Sequence, residues 1–375
     1  MGGPLKNLVV IELAALGPVP LAGQLLADMG ADVTVIDRRS AAAEPTNINR
    51  RNKKSVALNL KHEAGLLAAK KIIATADIVL EGFRPGVMEK LGLGPDDLQQ
   101  LNPHLILGRM TGWGQQGPLS QRAGHDINYL AITGALHAIG RNGEPPVPPL
   151  NLAADYGGGA MFLITGVLSA LFERGQSGRG QVIDAAMVDG VPAMMGLIHT
   201  MIAQNHWNNN RENNMLDGGA PYYRCYETLD HKYMAVGAIE PQFFKQFVEL
   251  AGLPESELAD QNDQSRWPEM RKRYAALFKT KTRDQWDAIF TDSDACVTPV
   301  LDFSEVASHH HNQARGVFSQ PDGVLQSSPA PRFSHTPSPP PLPVQAPGAH
   351  TDELLKKFGY SMLEIKQLRE DGAIC

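Results

Sequence analysis

The first 110 residues alternate compact apolar runs with segments of helical periodicity. Residues 8–13 (LVVIEL) form an apolar run that ends at Gly17-Pro18. Residues 21–29 carry apolar positions at helical spacing, and Gly30 suits a helix stop. Residues 33–36 read as a second strand, 55–60 as a third, 63–75 as a helix, 78–80 as a fourth strand and 105–110 as a fifth. Strands separated by helices of this length predict βαβ units and a mainly parallel sheet. Such sheets bind ligands beyond the carboxyl ends of their strands.

The pattern predicts an apolar helix over 155–174, a strand over 181–185 and a helix over 187–203. Residues 205–214 then hold six asparagines and few apolar positions, which reads as a linker. β-like patterning returns over 222–238, and helices are expected over 241–251, 267–280 and 283–291, as in a smaller α+β domain. Residues 329–347 carry eight prolines, so that stretch must run extended. A last helix is expected over 351–370, capped by Thr351. The expected division is a large domain of 1–200 with 335–375, a small domain of 215–330, and linkers at 201–214 and 329–347.

Composition narrows the class of protein. At about 150 residues per domain the chain is about 2.5 domains long, and two are expected. Acids outnumber lysine and arginine 40 to 34, which argues against a nucleic-acid partner. The cysteines Cys225, Cys296 and Cys375 lie far apart, so neither a disulfide framework nor a zinc site is expected. The apolar, uncharged run between Asp155 and Glu173 is short for a membrane span. The opening has no basic region before a long apolar core, so no secretory leader is expected. A bacterial source predicts a cytoplasmic protein. A eukaryotic one leaves a peroxisomal or mitochondrial address open, although the last residues are not Ser-Lys-Leu.

Four places could carry chemistry. Asp37 ends the second strand, where a dinucleotide fold holds a ribose, but 14–20 reads AALGPVP rather than GxGxxG. Two prolines there remove N–H donors that a pyrophosphate needs. Arg38 and Arg39 follow, either as phosphate-holding cations or as solvated ones. His125 follows Gly124, which allows a ligand to approach closely; Asp126 and Asn128 could cap the next helix. Asp155 suits the start of the apolar helix, yet Gly157-Gly158-Gly159 weakens that helix, so a ligand or another helix must come close. Glu240 is either a first-turn acid or an orienting carboxylate. His309-His310-His311 has no matching ligand set and reads as an exposed loop.

Longer stretches carry a resemblance. PLKNLVVIELAALGPVP, LLADMGADVTVIDR, EGFRPGVMEKLGLGP, RMTGWGQQGP, AGHDINYLAITGALHAIGR, PPLNLAADYGGG, NMLDGGAPYY, AVGAIEPQF and DACVTPVL occur in this order. The chain resembles the alpha-methylacyl-CoA racemases of the class III CoA-transferase (CaiB/BaiF) superfamily. The resemblance implies an α/β fold with a Rossmann-like large domain, a smaller α+β domain and an interlocked homodimer. It implies a 2-methyl-branched acyl-CoA substrate, with coenzyme A as part of the substrate and no separate cofactor or metal. CoA contacts would fall on Arg38, Leu58, Asn59, Leu60, Lys61, Arg84, Gly124, Asp126, Ile127, Asn128 and Tyr129. His125 and Asp155 would be the acid/base pair, with Glu240 supporting His125. The transferases of this superfamily instead use an aspartate nucleophile at the place of Asp155, without the histidine. Two proton carriers on opposite faces of a carbon suit racemisation, which favours that branch. The thioester oxygen is expected on N–H groups at the glycine-rich start of the Asp155 helix.

Overall fold

The computed structural model describes residues 2–38 and 44–374, so Arg39 and Cys375 lie outside the described residues. Its contacts divide the chain into two units. The first holds Met1–Thr133, Leu150–Met194 and Gln313–Cys375, and the second holds Gly134–Pro149 and Met195–Asn312.

The first unit is built on a six-stranded parallel sheet. Its strands are β1 (Val9–Leu13), β2 (Asp32–Arg38), β3 (Lys54–Leu58), β4 (Ile78–Glu81), β5 (Ile106–Thr111) and β6 (Val182–Ala186), in the order β3-β2-β1-β4-β5-β6. All lie within a residue or two of the runs the hydrophobic pattern picked out. Both faces are covered, so the central strands read as continuous apolar runs instead of alternating ones. On one face Ile11, Leu13, Ile36 and Val56 pack with the helix Glu63–Ile73 and with Leu354, Leu355 and Ile365 from the C-terminal segment. On the other, Gly108 lets Leu163 and Val167 settle onto β5, where a Cβ would lie 2.8 Å from the Leu163 side chain.

The C-terminal segment returns to this unit and closes the free edge of β3. Ser55 O accepts from His350 N at 2.9 Å, and Ala373 O accepts from Asn59 N at 2.8 Å. An exposed sheet edge would otherwise invite pairing with another chain. Thr351, expected as the cap, is instead the first helical residue. His350 holds the cap position, and the Thr351 hydroxyl accepts from Ala57 N at 3.1 Å. The single expected helix is two, Thr351–Lys357 and Met362–Glu370. Gly359 (φ 86°) breaks it, and Ser361 starts the second with a reciprocal Glu364 cap.

Two other expected helices also differ. The 155–174 helix begins as a π-helix, Leu152–Ala160, and continues as the α-helix Met161–Ser177. Together they are long and apolar enough by composition to cross a membrane. Here Leu163, Ile164, Val167 and Ala170 are spent on the sheet instead. The 187–203 helix is split into Met187–Met194 and Gly196–Ala203, with Pro192 unable to donate to the ladder inside the first.

The second unit carries the antiparallel strands β7 (Tyr223–Glu227), β8 (Tyr233–Gly237) and β9 (Val297–Val300). β9 contains Pro299, which hid it from the sequence pattern and which its edge position tolerates. The core is aromatic: Phe247 and Phe278 stack at 6.4 Å, and Phe278 meets Trp286 at 5.1 Å. The asparagine-rich stretch is built into this unit. Asn214 is buried, and Asp217 accepts from its backbone at 2.9 Å and its amide at 2.7 Å. Arg211 donates to Glu144 O at 2.6 Å and Glu212 pairs with Arg141 at 3.1 Å. These contacts draw 134–149 into the second unit rather than the large domain. His310 and His311, expected in a loop, instead open the short helix His310–Arg315.

Candidate active site

The sheet order reverses between β1 and β4, the place where open parallel sheets form a crevice. A cavity of about 890 Å³ lies at these carboxyl ends, lined among others by Arg38, Leu58, Asn59, Leu60, Lys61 and Arg84. It brings together the six expected CoA-contacting residues outside the 124–129 segment. Arg38, Lys61 and Arg84 are exposed, and among the described residues none has a carboxylate partner. Three unpaired cations on one apolar-floored cavity suit a ligand carrying several phosphates.

Asp37 is not free to hold a ribose. It is buried, takes both Arg50 nitrogens at 3.0 and 2.6 Å, and accepts from the Ser55 hydroxyl at 2.5 Å. Its carboxylate is fully used in fixing β2 to β3.

The 124–129 segment is not among the lining residues of that cavity. Gly124 gives way to side chains of the protein rather than to a ligand: a Cβ there would lie 2.8 Å from Tyr129 and 2.9 Å from Trp113. The two rings meet edge to face at 4.7 Å. Tyr129 is buried, while Ile127 and Asn128 are exposed on the helix Asp126–Ile132. His125 is exposed and caps this helix by its backbone; Asn128 returns its side-chain oxygen to His125 N at 3.0 Å. Asp126 does not cap it. Its Oδ2 accepts from Ala154 N at 2.9 Å and Asp155 N at 2.8 Å, at the head of the π-helix.

Asp155 therefore sits in the first turn of the π-helix, held from the helix that His125 begins. Burial is the main cause that lifts its carboxyl above the usual range, and the Asp126 charge adds to it. His125 and the Asn151 amide pull it back. Burial, then Asp155, pushes the Tyr129 hydroxyl up. Gly17 (φ 71°) runs beside the same carboxylate, where a Cβ would stand 3.3 Å from Asp155 Oδ2. Sequence reading passed over Gly17, although its place between a strand and Pro18 was visible.

The three glycines have a packing reason. Gly158 and Gly190 cross so closely that a Cβ on Gly190 would lie 2.0 Å from Gly158 O. Gly157 faces Met194, and Gly159 faces Pro18 and Met187. Of the two expected causes, another helix is the one found. The N–H groups expected to hold the thioester oxygen are also partly spent, since Ala154 and Asp155 donate to Asp126.

Glu240 belongs to the second unit, exposed at the cap position of the helix Pro241–Leu250. Burial, then the Glu240 charge, pushes the nearby Cys296 thiol up.

Residues 5–351 match CoA-transferase family III. The chain is 47% identical to a mouse protein named alpha-methylacyl-CoA racemase, over 99% of this chain and 97% of that one. It is 44% identical to the human protein of the same name, again over 99% and 97%. A mouse succinyl-CoA:glutarate CoA-transferase is 28% identical over 99% and 90%. Among solved structures, a CaiB/BaiF family protein from Brucella suis shares the fold, with a TM-score of 0.80 over 96% of this chain and 100% of that one, at 24% identity. A hypothetical protein from Mycobacterium tuberculosis superposes at a TM-score of 0.77 over 94% and 99%, at 26% identity. With the sheet order, the phosphate-ready rim and these full-length matches in agreement, the chain belongs to CoA-transferase family III.

Proposed function

We propose that this protein is a racemase that interconverts the (2R) and (2S) forms of 2-methylacyl-CoA thioesters. The observation that carries this reading is Asp155 at the head of the π-helix, lifted in pKa and within the field of His125. His125 and Asp155 would be two proton carriers of different chemistry, one for each face of C2. One removes the proton at C2, giving an enolate, and the other returns it on the opposite face. Atoms and charge balance with these two groups alone, so the step needs no metal or redox cofactor. Arg38, Lys61 and Arg84 would neutralise the CoA phosphates. Glu240 would orient His125, and an interlocked homodimer would assemble the site. The 44–47% identical relatives that carry the racemase name support this branch of the family.

A second reading follows from the transferases in the same family. There Asp155 would attack the thioester carbonyl, expel CoA as thiolate and form an acyl anhydride. One experiment separates the two. In D₂O, with no acceptor acid, a single enantiomer of a 2-methylacyl-CoA should gain deuterium at C2 and epimerise. CoA transfer to an added carboxylate without C2 exchange would establish the second reading. His125→Ala should cut exchange by about 10²- to 10⁴-fold, the usual worth of a general acid or base.

A further inference from the structure

Among the buried carboxylates of the described residues, Asp126 is the one that leaves an oxygen without a hydrogen-bond partner. Asp126 is 7% exposed. Its Oδ2 takes two backbone N–H groups of the π-helix, and its Oδ1 is buried with no hydrogen-bond partner. A half-satisfied buried carboxylate is costly to keep. An alanine would leave the two N–H groups orphaned, while an asparagine would serve them without the charge. Neither packing nor capping of its own helix accounts for an acid here, because Asn128 performs the cap.

We propose that the Asp126 side chain is a positioning residue for the racemisation: it ties the backbone of Asp155 to the helix that begins at His125 and so sets the two proton carriers against each other. This rests on the racemase reading above. The residue is adjacent in sequence to one carrier and bonded to the main chain of the other. A π-helix leaves one more N–H unpaired at its start than an α-helix does, and Asp126 answers two of them. The charge has a second effect. The groups acting on the Asp155 carboxylate are Asp126 and His125, with the Asn151 amide, while Tyr129 is in turn raised by Asp155. The other neighbours recorded at this turn, Gly17, Pro18, Met187, Val191 and Met194, carry no titratable side chain. Asp126 is thus the acidic neighbour that keeps Asp155 protonated to higher pH.

The test compares Asp126→Asn and Asp126→Ala in the full-length enzyme, with His125→Ala and Asp155→Ala in parallel, by C2 deuterium exchange across pH. Asp126→Asn should keep the two N–H bonds and move the acidic limb of the kcat profile to lower pH. Asp126→Ala should lower kcat by about 10- to 100-fold, the scale of a misplacement near 1 Å. Its KM should stay within about 3-fold, because the phosphates are held elsewhere. An Asp126→Ala variant that keeps kcat within about 3-fold of the parent overturns the inference. So does an Asp126→Ala variant that raises KM alone, which would make Asp126 a ligand contact. If His125→Ala and Asp155→Ala themselves retain near-full exchange, it is the racemase site that fails, and the two failures are distinct.

Discussion

Lys53 and Lys61 flank the same strand, β3, and meet opposite conditions. Lys53 is buried, with its Nζ donating to Glu12 Oε2 at 2.5 Å and to Pro20 O at 2.8 Å. Arg51 against Asp28 and Arg109 against Glu81 repeat the arrangement, each acid at 0% side-chain exposure. Lys61, Arg38 and Arg84 stand exposed at the carboxyl ends of the strands, with no acid paired to them among the described residues. Interior cations are cancelled: Lys53 ties the start of β3 to Glu12 of β1, and Arg109 ties β5 to Glu81 of β4. Rim cations keep their charge for a ligand. An overall charge of −6 is therefore compatible with binding a polyphosphate, because the excess of acids is not at the rim.

The comparison breaks most sharply at Lys53. Lys53→Met leaves Glu12 buried beside a methionine, and removing one partner of a buried pair costs about 3–5 kcal/mol. The urea midpoint should fall accordingly. Replacing both, Glu12→Leu with Lys53→Met, should recover most of the loss, since a matched apolar pair is often neutral. A single variant as stable as the parent would show that the pair does not pin the sheet.

The rim should respond in the opposite way. Arg38→Ala and Arg84→Ala should leave the urea midpoint unchanged, because exposed charges contribute little to stability. Each should raise KM for an acyl-CoA by roughly 10-fold, the worth of a charge-assisted hydrogen bond near 1.5 kcal/mol. With a pantetheine thioester, which lacks the nucleotide phosphates, variant and parent should have the same KM. Equal losses on both substrates would mean that these arginines do not meet phosphate.

The two sets also explain what the chain disclosed in advance. The strands were legible because a parallel sheet covered on both faces needs unbroken apolar runs, and LVVIEL and VTVI are such runs. Arg38 was legible from its place at the end of the second strand, whereas Lys61 and Arg84 came only from the family resemblance. The interior pairs were not: Glu12 and Lys53 belong to different βαβ units, and only the sheet order brings them together. The same distance problem hid Asp126. Read locally it was a helix cap, and by resemblance a CoA contact, whereas its partners lie in the later π-helix. The π-helix itself was read as ordinary helix, because its glycines announce a close approach but not a register.

Salt should divide the two sets more gently. The screening length drops from about 10 Å at 0.1 M to about 3 Å at 1 M, which affects exposed charges far more than buried ones. Raising KCl from about 0.05 to 0.5 M should lift KM for an acyl-CoA by roughly 3- to 10-fold and leave the urea midpoint no lower. A falling midpoint with constant KM would reverse the assignment.

The smallest expected effect concerns Asp155, which lies between the two regimes, partly buried and, among the described residues, without a lysine or arginine partner. Burial first, then Asp126, raises its folded pKa above the unfolded 3.8. The folded state therefore favours the protonated acid. The stability this contributes is fully present below the unfolded pKa and is lost as pH rises through the raised folded value. Asp155→Asn keeps a neutral side chain at every pH. It should match the parent near pH 3 and exceed it at pH 7 by about 1 kcal/mol or less, given solvent screening at a partly exposed group. Proton exchange at C2 should be lost in the same variant. Urea unfolding at both pH values, with exchange measured at pH 7, reads both effects. A variant less stable than its parent at pH 7 would mean that the Asp155 charge is held by a partner, as in the interior, and is not kept available for the proton it is proposed to carry.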